Sequence, residues 1–312
     1  MDISSCIIGT WQCDQRFWPG VRSRDLSLMY QRAFDEGFST FDTAEIYVGA
    51  ERLLSRALGL KINQAVILDK VFCHHLSYDA LLNACHQSLK KLGRDWIDLY
   101  QIHWPSGTDG GPIVAIEESL QAMIDLKKAG KIRGIGLSNF SLEQIEKACA
   151  FTKIDAVQLP YSLLWPHQMD RVRQYCSEHH IKCLAYSPLA HGMLTDKMHQ
   201  SYRFDASDHR SRSVIFSEGI KKHTHHAQTQ LKDIAKEAGV SLEVLALAWV
   251  AQQSNICPIV GFRNIKQFKM LFDYQHFNLL EVVSDNCSKV SQKFAAHVDL
   301  WDCMWFKSSI NA

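Results

Sequence analysis

The chain has 312 residues, 46% of them apolar, and a formal net charge of +1 from 34 basic and 33 acidic side chains. That balance gives no electrostatic reason to expect nucleic acid or an acidic membrane as a partner. No apolar run approaches the ~18 residues of a membrane span, and MDISSCIIGTW at the N-terminus lacks a charged segment followed by an apolar one, so the chain reads as cytoplasmic. In chain order, short apolar runs alternate eight times with amphipathic helical stretches. The runs are SCIIGT (5–10), FSTFD (38–42), AVILDK (65–70), IDLYQIH (97–103), IRGIGLS (132–138), IDAVQL (154–159), IKCLAYS (181–187) and ICPIVG (256–261). Several are nearly continuous in Val, Ile and Leu, the pattern of strands buried on both faces. Helical patterns such as RDLSLMYQRAFDEG, YDALLNACHQSLKKLG and AIEESLQAMIDLKKAG lie between them, the last two ending in Gly just past a Lys-bearing turn. Ser141 followed three residues later by Gln144 is a capping-box start. Alternation without a break in composition predicts one closed α/β barrel over residues 1–312 rather than two domains.

Four residues stand at or just after predicted strand ends: Asp42, Tyr47, Lys70 and His103. In a parallel β/α sheet these ends open onto one face, so the four can converge. A phenol releases its proton reluctantly, with a pKa of about 10. A nearby ammonium is expected to stabilise the phenolate and lower that value, while a carboxylate fixes the ammonium and an imidazole orients a substrate oxygen. Such a set suits protonation of a carbonyl oxygen as hydride arrives.

Two predicted loops exceed ordinary length, 104–112 and 190–224, and long loops in compact domains are usually functional. Trp11, Trp18, Trp104 and Trp165 lie after strands one, four and six and suggest an aromatic-lined pocket. The ten cysteines include no C-x-x-C pair. In CSEHHIKC (176–183) a helix end and the next strand are expected to send the side chains apart, so no metal site is expected. HTHH (223–226) reads as an exposed loop or a helix start. GIGLSN (134–139) begins like a dinucleotide fingerprint but ends in Asn and falls on the fifth strand, so it reads as a strand-and-turn glycine pair.

With GTWQ (9–12), FDTAEIYVGAE (41–51), Lys70, QIHWP (101–105), GKIRGIGLSNF (130–140), VQLPYSLL (157–164), AYSPLAHGMLTDK (185–197), DHRSR (208–212) and PIVGFRN (258–264), the sequence resembles the aldo-keto reductases over nearly its whole length. The resemblance implies an NADPH-dependent carbonyl reductase on a (β/α)8 TIM barrel, with Asp42, Tyr47, Lys70 and His103 as a catalytic tetrad. It places Gly9, Thr10, Trp11 and Asp42 along the cofactor. Ser138, Asn139 and Gln158 would meet the nicotinamide carboxamide, with Tyr186 stacked on the ring. Ser187, Pro188, Leu189, Ala190, Gly192 and Lys197 would follow the pyrophosphate, and Arg210 is a further cofactor contact. Gly261, Arg263 and Gln267 match the closing motif, whose arginine meets the 2′-phosphate. Trp11, Tyr47, His103 and Trp104 would form the substrate pocket for a small-molecule carbonyl compound.

The sequence departs from that pattern in three places. Relatives carry Glu and Asn after the glutamine, whereas this chain has Lys269, Met270 and Leu271. The N-terminal β-hairpin that closes the barrel bottom has no room before strand one. The tail carries the apolar LWDCMWF (300–306), expected to dock on the barrel body near that vacancy, with the active-site mouth as the other position. Two function classes follow: a reductase, or a nucleotide-sensing binding protein of the same fold such as the potassium-channel β-subunits. A zinc-dependent barrel hydrolase lacks the ligand set. Oligomeric state and physiological substrate are not written in the pattern.

Overall fold

Eight parallel strands close on themselves in sequence order: β1 (Ile7–Gly9), β2 (Thr40–Asp42), β3 (Val66–Val71), β4 (Ile97–Ile102), β5 (Ile132–Ser138), β6 (Ala156–Pro160), β7 (Lys182–Tyr186) and β8 (Ile256–Val260). The structure is a computed structural model and describes residues 3–198, 202–204, 208–298 and 303–304. Helices α1 (Ser23–Asp35), α2 (Ala50–Leu58), α3 (Tyr78–Leu92), α4 (Ile116–Lys128), α5 (Leu142–Phe151) and α6 (His167–Glu178) each follow the strand of the same number. The crossover from β7 to β8 carries α7 (Glu218–Glu237) and α8 (Leu242–Gln252). After β8 come α9 (Ile265–His276) and α10 (Glu281–Ala295). The eight expected strands are all present, and the capping box at Ser141 and Gln144 forms.

Residue alternation along the strands sorts two cores. Outward residues such as Ile8, Phe41, Ile67, Tyr100 and Ile135 pack beneath the helices, while Ile7, Leu68, Leu99, Ala156, Leu184 and Ile259 fill the interior. The same inward parity puts Lys70 and Gln101 on the layer above, beneath the C-terminal mouth, in register with each other. The bottom is plugged differently from expectation. Among the described residues no strand precedes β1, and Ile3 packs against the interior cluster. The described part of the tail lies elsewhere: Met304 is fully buried, Val214 N–H donates to its carbonyl at 2.9 Å, and its sulfur is 2.8 Å from His191 Nε2. Those partners belong to the loop after β7, so the expectation of docking at the bottom is corrected toward the mouth. Leu300, Trp301, Trp305 and Phe306 lie outside the described residues.

Asp69, beside Lys70 in sequence, has the opposite parity and is buried under the helices, where one oxygen accepts the Lys70 backbone N–H at 2.8 Å. Burial, and then the charge of Glu51, push its carboxyl well above the ordinary carboxylate range. A carboxyl raised in the folded state gives its full stabilising contribution below the unfolded pKa and loses it as pH rises through the folded one. Asp69→Asn keeps the acceptor and cannot ionise. It should match the parent near about pH 4 and exceed its stability near about pH 9 in urea unfolding. A difference independent of pH would mean that Asp69 does not carry this dependence.

Candidate active site

The loop after β2 is tied down strand by strand. Thr10 donates through both its N–H and its hydroxyl to the Asp42 carbonyl at 3.0 Å, Thr43 N–H reaches the Leu68 carbonyl at 2.8 Å, and Glu45 N–H reaches the Lys70 carbonyl at 3.1 Å. Asp14, fully buried, accepts Arg16 at 2.6 Å and Val48 N–H at 3.2 Å, joining the first loop to the segment that carries Tyr47. The next strand end is fixed by His103 N–H on the Val71 carbonyl at 2.9 Å, and Asn139 Nδ2 donates back to the His103 carbonyl at 2.9 Å.

These ties bring the four sequence-selected residues together. Lys70 Nζ, wholly buried, donates to Asp42 Oδ1 at 2.6 Å and to the Thr43 carbonyl at 2.8 Å. It lies 5.3 Å from the centre of the Tyr47 ring, which also meets the His103 imidazole at 5.7 Å, edge to face. The expected lowering of the Tyr47 pKa is corrected. The phenol is raised well above its usual value by burial and by the charges of Asp42, Asp69 and Asp14. The ammonium is committed to Asp42 and Thr43, and the three carboxylates oppose it. His103 is held well below the usual imidazole range by burial and by Lys70, so its ring is neutral near pH 7.

One cleft of about 740 Å³ runs from Tyr47 and His103 to Arg263 and Lys269. Gly9, Thr10, Trp11, Asp42, Trp104, Ser138, Asn139 and Gln158 line it, as do Tyr186, Ser187, Pro188, Leu189, Gly192, Lys197, Arg210, Gly261 and Gln267. Lys70 sits behind Asp42 and is not on the wall. Ala190 is not on the wall either. Ser187, Ala190 and His191 adopt left-handed φ of 55°, 47° and 54°, winding the chain so that Ala190 is buried and His191 faces the cleft instead. Trp165 is also corrected. It is fully buried, with its indole N–H on Gln168 at 2.7 Å, and belongs to the outer core.

The two ends of the cleft differ chemically. Around Tyr47 the walls are Trp11, Ile46, Phe72 and Trp104. At the far end Trp18 carries the Arg263 guanidinium at 4.9 Å and that of Arg210 at 5.7 Å. Arg210 is paired with Asp208, at 2.5 Å in its shortest contact, whereas the Arg263 cation is disfavoured by burial and by Arg210. Gln267 Oε1 accepts the Arg263 backbone N–H at 2.8 Å, so that glutamine shapes the turn. Lys269 and Met270 reach the wall, while Leu271 is fully buried and faces the core.

Sequence reading missed Phe72, Gln101 and His209. Phe72 and Gln101 were available from strand parity, two residues after Lys70 and two before His103. His209, packed edge-on against Trp11, Phe17 and Trp18 at 4.8–5.3 Å, lies inside the DHRSR match, which assigned it no role. Its imidazole is depressed to about 4, mainly by burial. HTHH lies in the first turns of α7. The two thiols of CSEHHIKC do not diverge as expected: Cys176 and Cys183 are both buried and interact with each other, raising Cys183 and lowering Cys176. The histidines do part from them, His179 stacking on Tyr175 at 3.9 Å.

A long cleft with cations at one end and the amide side chains of Asn139 and Gln158 at the other fits a phosphorylated dinucleotide. The profile of the Aldo/keto reductase family matches residues 5–291. Aldo-keto reductase YhdN of Bacillus subtilis (strain 168) is 32% identical over 259 residues, covering 79% of this chain and 77% of that protein. The glycerol dehydrogenase AKR11B4 from Gluconobacter oxydans superposes with a TM-score of 0.84 at 27% identity, over 96% of this chain and 93% of that one. An aldo/keto reductase from Klebsiella pneumoniae, solved with NADP and acetate, shares the fold with a TM-score of 0.72 at 22% identity, covering 94% of this chain and 92% of that one. No helix among the described residues is long and apolar enough to cross a membrane.

Proposed function

Because the chain belongs to the aldo-keto reductase family, we propose that it reduces an aldehyde or ketone to the alcohol, with NADPH as cofactor and Tyr47 as proton donor. The observation that carries this reading is the buried Lys70–Asp42 pair set against Tyr47 and a neutral His103 at the end of one long cleft. When bound, the cofactor supplies the hydride. Tyr47 and His103 hold the carbonyl oxygen, and the apolar walls of Trp11, Phe72 and Trp104 suit an uncharged substrate body. As negative charge builds on that oxygen, the Tyr47 hydroxyl gives up its proton. The Lys70 ammonium, held in place by Asp42 at 2.6 Å, stabilises the phenolate left behind. The raised phenol keeps that proton in place until the oxygen becomes basic enough to take it.

Oxidation of NADPH against a panel of small aldehydes and ketones tests the reading. Turnover is expected with NADPH and weakly with NADH. Tight nucleotide binding without turnover of any carbonyl would turn the reading to a nucleotide sensor. Arg263 is the 2′-phosphate contact in this scheme, helped by Arg210 and Trp18. Arg263→Ala should weaken NADPH binding by about ten- to a hundredfold, the worth of one charge-assisted contact, and NADH hardly at all. Equal loss for both nucleotides would make Arg263 a structural residue.

A further inference from the structure

Gln101 occupies the interior layer directly under the cleft, in register with Lys70 on β3 and Gly136 on β5. It is fully buried, and its Oε1 accepts from Gln158 Nε2 at 3.2 Å. The same nitrogen donates to Asp42 Oδ2 at 2.9 Å. An amide nitrogen carries two N–H bonds, so both of those on Gln158 are used inside the barrel. The charge on Asp42 decides which end of the amide turns inward, because reversing it would set Oε1 against a carboxylate. Gln158 therefore presents its carbonyl to the cleft. Space for this arrangement depends on Gly136, where a Cβ would lie 2.7 Å from Gln101 Cγ and 3.2 Å from the Ala156 carbonyl.

We propose that Gln101 is a positioning residue: through Gln158 it fixes an amide acceptor toward the carboxamide N–H₂ of the nicotinamide. This rests on the NADPH reading above. Gln101 occupies the second N–H of Gln158, so the amide cannot rotate to offer a donor where the carboxamide needs an acceptor. The chain Gln101–Gln158–Asp42–Lys70 runs from β4 to the proton-delivery pair, so the site that would receive the nicotinamide and the one that stabilises the phenolate share one buried network. One glutamine thus sets the geometry of both.

The test separates the nicotinamide from the rest of the cofactor. Dissociation constants for NADP+ and for 2′-phospho-ADP-ribose, which lacks the nicotinamide, are measured by tryptophan fluorescence on the full chain. Gln101→Met fills the same space without an acceptor. It should weaken NADP+ by about tenfold, the usual worth of a hydrogen bond made through a fixed partner, and 2′-phospho-ADP-ribose by less than about twofold. Gln101→Asn keeps an amide but withdraws it from Gln158, and should behave the same way. If Gln101 acts through Gln158, the double variant Gln101→Met/Gln158→Leu should bind NADP+ no worse than Gln158→Leu alone. Equal weakening for both ligands, or additive losses in the double variant, would overturn the proposal. A parent protein that bound neither ligand would instead remove the NADPH reading on which it stands.

Discussion

Tyr47→Phe is expected to lower kcat for carbonyl reduction by about 10²–10⁴-fold while leaving the dissociation constant for NADPH within about twofold. The substitution removes one hydroxyl and little else, because the ring contacts to Trp11 at 6.3 Å and to His103 at 5.7 Å do not need the oxygen. No other group near the carbonyl position is suited to replace it. His103 is neutral, because burial and the neighbouring ammonium disfavour the imidazolium that would be its acidic form, and two of the three Lys70 protons are engaged by Asp42 and Thr43. Stopped-flow measurement of NADPH oxidation, with binding followed separately, separates the two quantities. A variant that turned over at the parent rate would remove Tyr47 from the chemistry.

Lys70→Met should abolish reduction to a similar degree and should also destabilise the fold by about 3–5 kcal/mol, the cost of leaving a buried charge without its partner. Asp42 is only 4% exposed, and in the variant its remaining side-chain donor is Gln158. The two effects can be pulled apart. Asp42→Leu/Lys70→Met removes both charges, so it should recover most of the stability and none of the activity. Urea unfolding beside single-turnover rates decides the matter. Activity that returned with stability would mean that the pair acts only as a structural strut.

Much of this was legible because parallel strands buried on both faces write themselves as apolar runs. The strand ends were therefore located well enough to see that Asp42, Lys70 and His103 would meet. Electrostatic balance was not legible. Lys70 was expected to lower the Tyr47 pKa, but the outcome depends on Asp14 and Asp69 as well, which arrive from another loop and from the far side of β3. Nor could a linear reading see that left-handed residues at Ser187 and Ala190 turn the Ala190 methyl inward. Trp165 illustrates the same limit. A tryptophan after a strand end can face either the mouth or the helices, and only the bridge pairing Ser162 with Trp165 turns it into the outer core. The tail misled for a plainer reason: it was expected at the barrel bottom, whereas Ile3, Val66 and Cys257 pack against the interior cluster and Met304 is buried beside the loop after β7.

The seam of the sheet has a consequence for how the protein comes into being. Strand β1 meets β8 through only two registered pairs, Ile7 with Ile259 and Ile8 with Val260, drawn from opposite ends of the strand series. Until β8 has been synthesised and docked, β1 and β7 are open edges and the leucine layers inside stand exposed to water. The wall segments that begin at Gly9 and at Gly261 lie on the two sides of this seam. Closure therefore completes the cleft, and a nascent chain stopped before β8 would carry Asp42, Tyr47, Lys70 and His103 but lack the wall that Gly261, Arg263, Gln267 and Lys269 supply.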